Sequence, residues 1–261
     1  MVPWWQSYLT GSVRRYGGNP VDPATFAPVG PLPAKPGSLV SVNRALTILF
    51  RDESLIAVDK PSGLAVHRGW APERDVAMVR VRDQIGAHVF PVHRLDRATS
   101  GVLLFALSAE VAALVCASFA EGKAEKTYLA LVRGAPPEEI AVDHPLCPGE
   151  DSHAPKVPAQ TLVLRREVFG RYSLVEARPL TGRLHQVRRH LKHLSCPLIG
   201  DVNYGKGEHN RLFRERYGLH RLFLHATRLR LPHPVYGGQV EISSPLPQEL
   251  FVVLQALREG R

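Results

Sequence analysis

Asp96 is the first residue in this chain whose surroundings suggest chemistry. It stands in the run His93-Arg94-Leu95-Asp96-Arg97-Ala98-Thr99-Ser100-Gly101, directly ahead of the apolar stretch Val102 to Leu107. A strand there would hold the carboxylate on a loop at the mouth of a rigid sheet. Neighbouring cations and hydroxyl donors keep a carboxylate ionised, which a nucleophile requires. An aspartate that pairs with Arg94 or Arg97, or accepts turn hydrogen bonds, fits the same residues, and spacing alone favours that plainer role.

Two further segments bear on the choice. Thr181-Gly182-Arg183-Leu184-His185-Gln186-Val187-Arg188-Arg189-His190-Leu191 reads as a helix capped by Thr181, with Arg183 in its first turn. Free backbone N–H groups there favour anions, and His185, Arg188, Arg189 and Lys192 make a polar face suited to phosphates. An ordinary amphipathic helix has the same pattern, although Arg in the first turn opposes the helix dipole. In Lys126-Thr127-Tyr128-Leu129-Ala130-Leu131-Val132-Arg133-Gly134, Tyr128 offers a ring and a hydroxyl to a base. It reads equally as a Tyr on a half-buried strand.

Charge sharpens the picture. Lys and Arg number 33 against 24 Asp and Glu, a net +9. Between Arg183 and Arg230 there are 11 basic and 3 acidic residues, so +8 of that charge lies in under a fifth of the chain. Such concentration points to a polyanionic partner. Cys116, Cys147 and Cys196 are too scattered for a disulfide framework or zinc site, which suits a reduced cytosolic protein with Cys116 in the core. No apolar run approaches the roughly 18 residues of a spanning helix, and the first residues do not read as a secretory signal.

These residues need a scaffold. Residues 1–43, rich in Pro and Gly, read as a mobile extension, and 44–261 as one domain. Strands are expected at Leu46–Phe50, Leu55–Asp59, Val102–Leu107, Tyr128–Arg133, Leu222–Leu231 and Gln239–Ser243. A hairpin is expected from Thr161–Val168 and Tyr172–Arg178. Helices are expected over residues 74–85, after Ser108, after Thr181, and along Leu250, Val253, Leu254 and Leu257. Residues 206–216 read as a basic loop. This is an α+β pattern: a mixed, mainly antiparallel sheet flanked by helices.

Five of these blocks together resemble the RluA-type pseudouridine synthase superfamily. HRLDRATSG is similar to its central motif, VDKPSGLAVHRG to its upstream strand and turn, EKTYLALVRG to its tyrosine motif, and LTGRLHQVRRHL to its arginine motif. LIGDVNYG is similar to the stretch that follows, and the order matches from about residue 46 to residue 245. Val66-His67-Arg68-Gly69-Trp70, Val81 to Gly86 and Tyr217 to Leu222 resemble the TruC branch, which acts on uridine 65 of tRNA. The resemblance implies an isomerase with Asp96 as nucleophile. It implies Arg183 as the bidentate ion-pair partner of Asp96, Tyr128 stacked on the flipped uracil, and Arg94 entering the RNA stack that the base leaves.

No cofactor or metal is implied, because the reaction is an isomerisation without net redox change. His93, Arg188, Arg189, Lys192, Lys206, Arg211 and Arg214 would contact RNA, structured RNA being the expected partner and tRNA the first choice. The resemblance also implies a cytoplasmic monomer. The rival readings are the same chemistry on ribosomal RNA, an RNA-binding protein with an idle site, and a metal-dependent nuclease. The nuclease needs clustered carboxylates, whereas Asp96 stands among cations.

Overall fold

The computed structural model describes residues 13–16, 45–67, 75–149 and 154–260. Among the described residues the strands are β1 (Val13–Tyr16), β2 (Ile48–Arg51), β3 (Leu55–Lys60), β4 (Phe90–Pro91), β5 (Ser100–Ala106), β6 (Glu125–Arg133), β7 (Glu139–Asp143), β8 (Gln160–Phe169), β9 (Tyr172–Pro179), β10 (Leu224–Pro232) and β11 (Gln239–Ser243). The helices are α1 (Ala77–Ile85), α2 (Ala109–Ala120), α3 (Gln186–His193), α4 (Gly207–Tyr217) and α5 (Gln248–Arg258).

The strands join in one sheet, ordered β2-β3-β5-β10-β6-β9-β8-β7, with β4 on β5 and with β11 between β10 and β1. The β5–β10 pair is parallel and the other strand pairs are antiparallel. The mixed, mainly antiparallel sheet expected from the hairpin spacing is thus present.

Alternation along the strands assigns each side chain to a core. On β5, Leu103 and Phe105 pack with Ile56, Val58 and the α1 residues Ala77, Val81 and Ile85. Their neighbours Val102 and Leu104 turn the other way, toward Val115 of α2. Burying a side chain such as Leu103 or Phe105 contributes about 1.5–3 kcal/mol. On β6, Ala130 and Val132 face Val187 and Leu191 of α3. Leu129 and Leu131 face Phe213 of α4 and Leu250, Val253 and Leu254 of α5. Tyr128 packs against both the α1 core and the α3 core, at the seam between them.

Local signals explain the clean boundaries. Ser108 accepts a hydrogen bond from Val111 N at 3.2 Å and caps α2. Gly86 closes α1 at φ 66°. Gly101 sits at φ 113°, and a Cβ there would lie 2.2 Å from the Ala226 carbonyl oxygen, so only glycine lets β5 approach β10 this closely.

Four expectations change. The helix expected from Thr181 begins only at Gln186, with His185 as its N-cap residue. Gln186 is the reason: its Oε1 accepts from Thr181 Oγ1 and from Arg183 N, which ties up the preceding loop outside the helix. Arg183 therefore lies before the helix. Residues 206–216, expected as a loop, largely form α4, because burial of Phe213 organises a segment whose sequence is mostly charged. Cys116 is exposed on α2 rather than in the core, while Cys147 and Cys196 are buried. Within residues 1–43 the structure describes Val13–Tyr16, a strand registered on β11 from Val13↔Ile242 to Tyr16↔Gln239. The rest of that stretch lies outside the described residues, as do Arg68, Gly69 and Trp70.

Candidate active site

The loop between β4 and β5 carries Asp96, and a second turn braces it. Buried Lys60 donates Nζ hydrogen bonds to the carbonyls of Pro61, Leu64 and Arg97 at 2.9, 2.7 and 3.2 Å. Ser62 Oγ donates to Ala98 O at 2.7 Å, Gly63 N donates to Arg97 O at 2.8 Å, and Arg97 Nε donates to Gly63 O at 2.9 Å. Burial pushes the Lys60 amine down to about 7, with Arg221 adding to the fall and Asp96 and Asp59 opposing it. Thr99 N closes the turn on Asp96 O at 3.0 Å. The KPSG turn thus holds the backbone on which the carboxylate rides.

The cation on that carboxylate is Arg188, from α3. Its Nη1 lies 3.4 Å from Asp96 Oδ2. Its Nε and Nη2 are committed to Asp201, at 2.7 Å from Oδ2 and 2.9 Å from Oδ1. Asp201 also accepts from Asn203 N and Tyr204 N. Burial alone would raise the Asp201 carboxyl, but the hydrogen bonds from Arg188 and the Tyr204 amide, with the charge of Arg188, hold it below the usual carboxylate value. His185 completes this side, with Nε2 at 3.9 Å from Asp96 Oδ2 and Nδ1 at 3.1 Å from Tyr204 Oη.

These groups open on a cavity of about 890 Å³ whose lining includes Asp96, Tyr128, His185, Arg188, Phe119, Lys126, Arg94, Leu180 and Arg183. Tyr128 presents its ring beside the carboxylate, and burial together with the Asp96 charge pushes its phenol well above the ordinary value. Lys126 donates Nζ to Thr181 O at 3.2 Å, which leaves two of its three N–H bonds for other acceptors in a wall that also carries Phe119. The result is a carboxylate in a chamber whose lining also carries the rings of Phe119 and Tyr128 and the basic side chains Arg94, Lys126 and Arg183. That chamber suits a flipped nucleobase with its sugar and phosphate.

The family model for RNA pseudouridylate synthases matches residues 54–193, which carry Asp96, Tyr128, His185 and Arg188. The chain belongs to the RNA pseudouridylate synthase family. A tRNA pseudouridine synthase C from Vibrio parahaemolyticus is 44% identical over 230 residues, 79% of this chain and 94% of that protein. Its namesake from Haemophilus influenzae is 41% identical over 225 residues, 78% of this chain and 94% of that one. Among solved structures, human RNA pseudouridylate synthase domain containing 4 superposes with a TM-score of 0.67 at 28% identity, covering 81% of this chain and 93% of that one. The human domain containing 1 gives 0.63 at 26%, covering 86% and 97%.

This RNA pseudouridine synthase brings together Asp96, Tyr128 and Arg188 of the expected helix, but not Arg183 as the partner of Asp96. Arg183 is exposed and donates Nε to Pro158 O at 3.1 Å. The bidentate ion pair expected between Arg183 and Asp96 is replaced by the Arg188 contact, because α3 begins at Gln186 and turns Arg188 inward.

Arg188 is accordingly buried and unsuited to gripping phosphate from the surface. His93 is also engaged inside the fold. Its Nε2 accepts from Leu104 N at 2.9 Å, its ring stacks on Phe119, and burial pushes it down to about 3, Lys126 adding to the fall. Arg189 donates to the Cys147 carbonyl at 2.8 Å. Arg94, Lys192, Lys206, Arg211 and Arg214 are exposed. Asp201 and Tyr204 lie within the LIGDVNYG block, yet no spacing in the sequence ties them to a site 105 residues upstream of Asp201. Among the described residues no His, Cys, Asp and Glu group has the arrangement of a metal site. No described helix is long and apolar enough to cross a membrane.

Proposed function

We propose that this synthase converts a uridine of tRNA to pseudouridine, with uridine 65 as the target and Asp96 as the nucleophile. The observation that carries the role of Asp96 is its position. It lines the cavity together with Tyr128, and a buried guanidinium, that of Arg188, lies 3.4 Å from one of its oxygens. The names of the curated relatives support tRNA as the substrate. The resemblance of residues 66–70, 81–86 and 217–222 to the TruC branch supports position 65.

In this reading Asp96 drives release of the uracil from C1′, the base turns within the cavity against Tyr128, and C5 bonds to C1′. Arg188 orients Asp96. Arg94 fills the space the base leaves, which offsets the few kcal/mol that unstacking costs. Lys192, Lys206, Arg211 and Arg214 hold phosphates on a structured stem. The enzyme acts as a cytoplasmic monomer.

Mapping pseudouridine across tRNA and ribosomal RNA in cells lacking the protein tests the substrate. Loss at tRNA position 65 alone is expected. Loss confined to ribosomal RNA would replace the tRNA reading.

A further inference from the structure

We propose that Lys126 holds the uracil itself. Its ammonium donates to O4 of the base before the turn and to O2 after it, and it stabilises the charge of the detached base in between. This deepens the role of the Asp96 site and rests on that reading.

Lys126 and Tyr128 stand two residues apart on β6, so their side chains leave the same face of the strand, about 7 Å apart along it. Both line the cavity that holds Asp96. Thr127 between them is buried and turns away from that cavity. A uracil stacked on Tyr128 therefore has Lys126 as its next neighbour along the face.

The charge of Lys126 is unanswered within the protein. Its Nζ makes one hydrogen bond, to Thr181 O at 3.2 Å, and lies 5.9 Å from the centre of the Phe119 ring. Burial pushes its amine below the usual value, and no carboxylate pulls it back. Among the described residues it enters no ion pair. The two carboxylates that line the cavity face other cations: Asp96 lies 3.4 Å from Arg188, and Glu121 lies 2.6 Å from Lys123. A cation removed from water without a countercharge costs stability, and such a cost is typical of a group kept for function. The missing negative charge comes with the substrate.

The reaction supplies that charge. When C1′–N1 breaks, its electron pair leaves with the base, and the negative charge is shared among N1, O2, O4 and C5. The pair then returns from C5 to C1′ as the new bond forms. C5 loses its proton to water, and N1 takes a proton from water. To bring C5 where N1 stood, the base turns about the axis through N3 and C6. That turn exchanges O2 with O4, so a carbonyl oxygen occupies the same place before and after. An ammonium with two spare N–H bonds on a rotatable stem follows that oxygen through both states. Arg188 is already committed to Asp201 and Asp96.

The test is single-turnover reaction of Lys126→Met and Lys126→Arg on tRNA transcripts carrying uridine or 5-fluorouridine, alongside RNA affinity and melting temperature. Lys126→Met removes an unpaired, desolvated cation, so its melting temperature is expected to stay level or rise. Its saturating rate on the uridine transcript is expected to fall about 100-fold or more, with tRNA affinity within about threefold of wild type. Lys126→Arg should retain more of the rate than Lys126→Met. Fluorine at C5 makes the detached base a weaker base, so consumption of 5-fluorouridine should suffer about tenfold less from Lys126→Met than reaction of uridine does. A merely structural lysine would not move that ratio. A saturating rate near wild type in Lys126→Met overturns the proposal, as does an equal loss on both transcripts. Weakened affinity with an unchanged saturating rate would make Lys126 a phosphate contact, and a marked fall in melting temperature would make it structural; either overturns it too. Asp96→Asn run in parallel separates the two readings: an inactive Asp96 variant beside a fully active Lys126→Met removes only the role of Lys126, whereas an active Asp96 variant removes the site.

Discussion

Arg188 and Asp201 form a two-point ion pair, Nε to Oδ2 at 2.7 Å and Nη2 to Oδ1 at 2.9 Å. Both donors on that edge of the guanidinium are used, so Asp96 meets only the remaining nitrogen, at 3.4 Å. A carboxylate gripped in a fork would be tightly neutralised. In the proposed mechanism, sharing Arg188 with Asp201 orients Asp96 while leaving it available to attack.

Arg188→Ala leaves Asp201 buried without its countercharge, and this is expected to cost about 3–5 kcal/mol of stability. Arg188→Lys retains charge but loses the fork, so turnover falls even where the protein folds. Arg183→Ala, at an exposed residue, is expected to leave the melting temperature nearly unchanged. Thermal denaturation of the three variants checks the contrast; equal destabilisation by Arg183→Ala and Arg188→Ala would contradict it.

Asp201→Asn keeps the shape of the pair and removes its negative charge. Arg188 then turns more of its charge on Asp96, so kcat is expected to fall. KM for tRNA should stay within about threefold, since Asp201 is buried and does not reach the RNA. A rise in KM with unchanged kcat would assign Asp201 to RNA binding instead.

His225 gives the pH dependence of folding a definite sign. It is buried, its Nδ1 is 2.8 Å from Ser100 Oγ, and burial pushes it from 6.5 down to about 3. The folded state therefore keeps His225 neutral while the unfolded chain protonates it. Its contribution is intact above pH 6.5 and is lost as the pH falls from 6.5 toward 3, at about 1.4 kcal/mol per pH unit. His225→Gln should flatten the acid side of a denaturation-versus-pH curve by one proton. An unchanged slope would contradict the assignment.

Gly101→Ala is expected to destabilise by more than about 3 kcal/mol, because its Cβ would meet the Ala226 carbonyl at 2.2 Å and the backbone stands at φ 113°. Soluble expression and chemical denaturation check this. Gly122→Ala, where a Cβ meets nothing within 4 Å, is the comparison and should cost only its backbone strain.

Removing Lys206, Arg211 and Arg214 together should weaken tRNA binding without changing stability. It should also lower the salt dependence of log affinity by about one for each phosphate left without its cation. Titrations at several salt concentrations measure it; an unchanged salt slope would mean that α4 faces away from the RNA.

How far the sequence reached follows from which interactions are local. The strands at Leu55 and Val102 and the cap at Ser108 were legible because alternation and capping act over a few residues. The Asp96 loop was legible as a motif. The helix start after Thr181 was not, since Gln186 redirects that loop through hydrogen bonds to Gln160 and Thr161, on a strand paired elsewhere in the sheet. Arg183, which the resemblance implies as the partner of Asp96, gives way to Arg188 because which arginine faces inward depends on where the helix begins. α4 escaped for a related reason: one buried phenylalanine, Phe213, fixes a segment whose polar composition hides it. Tyr204 and Asp201 join the Asp96 site only through the fold.

The central claim is that Asp96 carries the chemistry, and single-turnover pseudouridine formation by Asp96→Asn on a tRNA transcript tests it most directly. The variant is expected to bind the transcript at near wild-type affinity and to form no pseudouridine. Pseudouridine formed by Asp96→Asn at a rate comparable to wild type would contradict the account.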